Sequence, residues 1–125
     1  MNQLVLALKD GRTWFKPGQR VEGQASWSLE HPPTLVEVRL FWQTRGFGIG
    51  EVEVLDTARF ENPAQIGEVG FLLPLPLSPF SFEGRLVSLG WGLELVAQPG
   101  DHATAVDFSM SPTGRPISLH GRSPV

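Results

Sequence analysis

The chain has 125 residues, no cysteine, 41% hydrophobic and 18% charged residues, and a formal net charge of −3 at pH 7. That length suits one domain with a real core, while the lack of cysteine excludes a disulfide framework, thiolate catalysis and cysteine-ligated zinc and fits a reducing, cytoplasmic setting. With no block of like charge, no basic face and no segment of membrane-spanning length, neither a nucleic-acid partner nor membrane insertion is expected.

Leu4, Leu6 and Leu8 alternate with Val5, Ala7 and Lys9, which predicts a first strand and not a signal peptide. Asp10-Gly11 is a turn signal, and Pro17-Gly18 suits a type II turn after Trp14-Phe15. Val21, Gly23, Ala25, Trp27 and Leu29 then share one face, with Arg20, Glu22, Gln24, Ser26 and Ser28 on the other. That pattern predicts a half-buried antiparallel strand, stopped at His31-Pro32-Pro33 because proline cannot donate to a sheet ladder.

A third strand is expected from Leu35 to Thr44, with Val36, Val38, Leu40 and Trp42 inward and Glu37, Arg39, Phe41 and Gln43 outward. Gly46, Gly48 and Gly50 make a turn around Phe47 and Ile49. The fourth strand carries Val52 and Val54 and reaches Phe60; the fifth runs near Ile66 to Leu73, ended by Pro74, Pro76 and Pro79. In the sixth, Val87, Leu89, Trp91, Leu93 and Leu95 share one face, and two close glycines argue against a helix. This is the most apolar long run, and Trp91 is expected to be a core residue paired with Trp27 or Trp42 across the sheets. A seventh strand follows Gln98-Pro99-Gly100-Asp101 and spans Ala103 to Met110. The pattern therefore predicts an all-β antiparallel sandwich of about seven strands, with a small barrel as the alternative. The domain is expected over residues 1–110, and the polar stretch 111–125 as a flexible tail or a strand donated elsewhere.

Chemistry leaves little trace. His31, His102 and His120 never fall at metal-ligand spacing, and no glycine-rich stretch precedes a helix as phosphate binding requires. No serine sits in a nucleophile elbow. Glu51 and Glu53 read as a solvated strand face, with Glu37 and Arg39 placed to pair across to them. No catalytic, metal or cofactor residue is assigned, no cofactor is expected, and the chain is read as a non-enzyme. Four aromatics remain as candidate partner contacts: Trp14 and Phe15 before a turn, Phe47 in a loop, and Phe41 on a polar face. Exposure of Phe41 together with Val5 and Ala7 would mark an interface.

Two stretches carry a family resemblance. Phe15-Lys16-Pro17-Gly18-Gln19-Arg20-Val21-Glu22-Gly23 resembles the aromatic-x-Pro-Gly-x-x-Val-x-Gly opening of arrestin-like domains. Phe82-Glu83-Gly84 followed by Val87-Ser88-Leu89-Gly90-Trp91 resembles the family's Pro-rich loop leading to a long central strand. The Val36-x-Val38-x-Leu40-x-Trp42 strand and Phe71-x-Leu73-Pro74 fit in order and spacing, so the resemblance covers much of residues 15–96. It implies an immunoglobulin-like β-sandwich of a family made mainly of adaptors and scaffolds. Arrestins and their retromer and sporulation-control relatives carry two such sandwiches in tandem, and this sequence has room for one. The expected function is therefore protein binding, to a partner or to a second copy of itself. The alternatives are a carbohydrate-binding module stacking sugars on Trp14, Phe15 or Phe47, and, further off, a small hydrolase.

Overall fold

A computed structural model describes residues 2–46 and 50–118 of the chain. Its strands follow the alternations of the sequence: β1 (Gln3–Leu8), β2 (Trp14–Phe15), β3 (Arg20–Ser28), β4 (Leu35–Gly46), β5 (Val52–Glu61), β6 (Ile66–Pro74), β7 (Phe82–Glu83), β8 (Val87–Gln98), β9 (His102–Met110) and β10 (Ile117–Ser118). The seven long strands match the seven expected from sequence. The other three are two residues long, too short to show a period.

Two sheets form. The smaller has the order β1-β3-β6, antiparallel and without a register slip. The larger is centred on β8, which pairs antiparallel with β4 on one side and with β7 and β9 on the other. β5 closes one side of that sheet against β4, with a bulge between Leu40 and Phe41 that leaves Leu55 without a partner residue. On the other side β2 runs parallel to the end of β9, and β10 parallel to β7.

The inward rows of both sheets make one core. Val21, Ala25 and Trp27 come from β3, Val36, Val38 and Leu40 from β4, and Leu89, Trp91, Leu93 and Leu95 from β8. Trp91 is 1% exposed, stacks near Phe108 at 6.3 Å between centroids, and donates its indole N–H to Pro79 O at 2.8 Å. It thus buries its apolar area and satisfies its polar atom. One detail differs from expectation. Trp42 is the register neighbour of Trp91 within the same sheet, and the ring stacked on Trp91 is that of Phe108. Trp27 belongs to the opposite sheet and donates to Ala64 O at 2.8 Å.

The ordered domain also extends past Met110. Buried Ser81 exchanges backbone hydrogen bonds with Met110 and Ile117, and its hydroxyl accepts from the Met110 N–H at 2.9 Å. Ser111 is fully buried and donates its N–H to Phe15 O and its hydroxyl to Arg115 O. Residues 111–118, expected to belong to a flexible tail, therefore pack onto the domain through β10. Positions 119–125 of that expected tail lie outside the described residues.

Candidate interaction surface

The outer face of the small sheet is assembled by three alternations. β1 contributes Gln3, Val5 and Ala7; β3 contributes Ser28, Ser26, Gln24 and Glu22; β6 contributes Ile66, Glu68, Gly70 and Leu72. In register these stand as rows, of which Ala7–Gln24–Gly70 is the lowest, because alanine and glycine flank the central glutamine. A groove of about 640 Å³ lies over that row, walled by Leu72 and by the Lys9–Glu22 ion pair at 3.6 Å. A second depression continues over Val5, Ser26, Ile66 and Glu68. Serines and a glutamine offer an uncharged polar floor, and the rims mix apolar Val5, Ile66 and Leu72 with charged Lys9, Asp10, Glu22 and Glu68. Ile66 is 70% exposed, Leu72 49% and Val5 45%. Exposed apolar side chains grouped this way are the surface feature expected of a contact site.

The outer face of the large sheet is built differently. Glu37 was expected to face solvent, and its side chain is instead 9% exposed. The reason is a charge cluster: Arg39 donates to Glu37 Oε1 at 2.7 Å, Arg59 reaches Oε2 at 3.4 Å, and Arg39 also meets Glu94 at 3.5 Å. Register explains it, since Arg59 and Arg39 stand beside Glu37 on neighbouring or same-face positions of β5 and β4. The pairing expected between this strand and Glu51 or Glu53 does not form; Glu53 accepts the indole N–H of Trp42 at 3.1 Å.

The four candidate aromatics separate. Phe15 is 2% exposed and meets Phe108 edge-on at 5.1 Å, so its ring belongs to the core. Trp14 points the opposite way and is 47% exposed, with the Arg12 guanidinium 4.9 Å from its ring centroid. Gly114 lies under that ring, in a left-handed conformation where a Cβ would sit 2.4 Å from the indole. Adjacent strand residues face opposite sides, so Trp14 and Phe15 cannot form one platform. Phe41 is half-buried and lies across Gly92, where a Cβ would come within 2.8 Å of its ring. Phe47 falls outside the described residues. Val5 and Ala7 are on the small sheet and Phe41 on the large one, on opposite outer faces, so these three make no common patch.

His31 and His102 do line one proline-walled cavity, with Glu30, Pro32, Pro33 and Pro99, and His102 Nε2 is 3.2 Å from the Asn2 amide. Among the described residues no group of three His, Asp or Glu is placed to hold a metal ion. His120 lies outside them.

The architecture can now be compared with known proteins. The structure of Spo0M, a sporulation control protein from Bacillus subtilis, superposes with a TM-score of 0.64 at 14% identity over 88% of this chain. The fold is arrestin-like. The match covers 49% of Spo0M, so the arrestin-like sandwich described here spans about half of that protein's length. No protein-family model matches the sequence, and no curated protein matches it. Of the residues at the small-sheet face, the sequence singled out Val5 and Ala7, but grouped them with Phe41 of the other sheet. Ile66 and Leu72 carried a faint signal, being apolar residues in phase with Glu68 on the polar face of β6.

Proposed function

We propose that this arrestin-like domain is a non-enzymatic binding module that works through protein–protein contact, as a scaffold or by associating with itself. The observation that carries this reading is the outer face of the small sheet. There, Leu72 stands exposed beside one depression and Val5 and Ile66 beside the adjoining one, over a floor of alanine, glycine, serine and glutamine. A face of this kind loses little on desolvation and supplies apolar area to a partner. A stable contact of that sort buries roughly 1,200–2,000 Å² in total.

Light scattering across a concentration series tests the self-association form. A rising mass that falls back on dilution is expected. A mass that stays at the 13.7 kDa of one chain up to the solubility limit would remove it.

A further inference from the structure

Edges decide how β-sandwiches meet one another, because an edge strand presents unpaired N–H and C=O groups. The edges of this molecule are guarded unequally. β5 carries Glu53, Asp56, Arg59 and Glu61 and is bent by the bulge at Leu55. β1 is free of charge but runs alongside β9, and Asn2 before it is tied to His102. β2 and β10 are two residues each. β6 is different. Its nine residues pair with β3 without a slip, and Glu68 is its single charge.

Which β6 groups are free follows from its ladder. The Leu29 N–H donates to Gln65 O at 3.1 Å, and the Leu75 N–H to Gln19 O at 2.8 Å. In an antiparallel pair the bonded positions alternate, so the odd-numbered residues from 65 to 75 bond to β3. Ile66, Glu68, Gly70 and Leu72 therefore turn their N–H and C=O groups to the open edge.

We propose that β6 pairs antiparallel with β6 of a second copy about a twofold axis at Val69, joining two small sheets into one of six strands. This rests on the self-association reading above and names its surface. In that register Ile66 bonds opposite Leu72 of the second copy, and Glu68 opposite Gly70, each pair exchanging two hydrogen bonds. The two most exposed apolar side chains of the strand are thereby placed on each other. The single carboxylate meets a glycine and never itself. A register centred on Glu68 would oppose like charges, which is destabilising. One centred on Gly70 would bring Pro74, which has no N–H, into the ladder. The junction continues the outer groove from one copy into the next, so both depressions along Val5, Ser26 and Gln24 run on across the axis.

The test uses the full chain. Gly70→Pro deletes an edge N–H while sparing the β3 ladder, and a Cβ at Gly70 meets nothing closer than 3.8 Å. It is expected to keep the wild-type circular dichroism, to match the wild-type melting midpoint at concentrations low enough for both to be monomers, and to stay monomeric in sedimentation where the wild type associates. Leu72→Lys is the second variant should the proline variant fail to fold. It weakens a dimer centred on Val69 and strengthens one centred on Gly70, where the lysine would meet Glu68. Because the chain has no cysteine, Val69→Cys reports the axis directly: it is expected to form a disulfide dimer on oxidation, and Gly70→Cys is not. Cross-linking by Gly70→Cys alone overturns the register. A wild-type dimer that survives both Gly70→Pro and Leu72→Lys, with no link through Val69→Cys, overturns this edge but leaves self-association standing. A wild type that is monomeric at every concentration overturns both.

Discussion

The two outer faces of this sandwich are made from the same kind of alternation and have opposite characters. On the large sheet, Arg59, Glu37, Arg39 and Glu94 link side to side, and the Phe41 ring lies over Gly92. Those groups spend their bonding capacity on one another. On the small sheet, the corresponding rows hold mostly serine, glutamine, alanine and glycine, with Glu22 and Glu68 their only carboxylates among the described residues, and larger apolar residues stand exposed beside them. A charged face can thus be internally satisfied, while a less charged one leaves its apolar side chains open to solvent.

The largest expected effect lies beneath both faces. Trp91→Ala removes a 1% exposed indole, its stacking on Phe108 and its bond to Pro79, and is expected to cost roughly 3–5 kcal/mol. Thermal unfolding should show a midpoint drop of many degrees; an unchanged midpoint would place Trp91 outside the core. Next comes the finished face. Glu37→Ala strips both arginines of their shared carboxylate, and because Arg39 and Arg59 are 31% and 58% exposed they can rehydrate, so the cost is about 1–3 kcal/mol. Denaturant titration measures it. A neutral result would mean that the cluster is an ordinary solvated surface and that the two faces do not differ as described. By contrast, Val5→Ser on the small-sheet face is expected to change monomer stability by no more than about 0.5 kcal/mol, as surface substitutions do.

How much of this was written in the sequence can be judged residue by residue. The seven long strands were legible through alternation, clearest over Val21 to Leu29 and weakest over Val52 to Phe60, and through the turn signals between them. The arrestin-like architecture was legible through the order of its motifs. Glu37 was misjudged because alternation says which face a residue takes and not whether neighbours on other strands will cover that face. Arg59 and Glu94, which cover it, are 22 and 57 positions away. Phe15 was misjudged as a contact because a two-residue strand has no period to show which way its ring points. Phe41 looked anomalous on a polar face until its cross-strand neighbour proved to be Gly92, a pairing fixed only by register. Of the small-sheet face only Val5 and Ala7 were noticed, for a similar reason: Ala7, Gln24 and Gly70 form a groove only when three separate strands are laid side by side.

Two glycines of one strand test how closely the large face is packed. Gly90 and Gly92 stand two residues apart on the outer face of β8. A Cβ at Gly92 would sit 2.8 Å from Phe41 Cζ and 2.9 Å from Val106 O, and the backbone oxygen cannot move aside cheaply. Gly92→Ala is therefore expected to cost about 1–3 kcal/mol through overpacking. At Gly90 a Cβ meets nothing within 4 Å, and the site opens into a shallow depression beside Gln43, Arg45 and Asp107. Gly90→Ala should then stabilise the domain by about 0.4–1 kcal/mol, since it restricts the unfolded chain without strain. The difference between the two midpoints is the informative quantity. If both alanines behave alike, Phe41 does not rest on Gly92, its ring is free to leave the sheet, and the large face becomes as available to a partner as the small one.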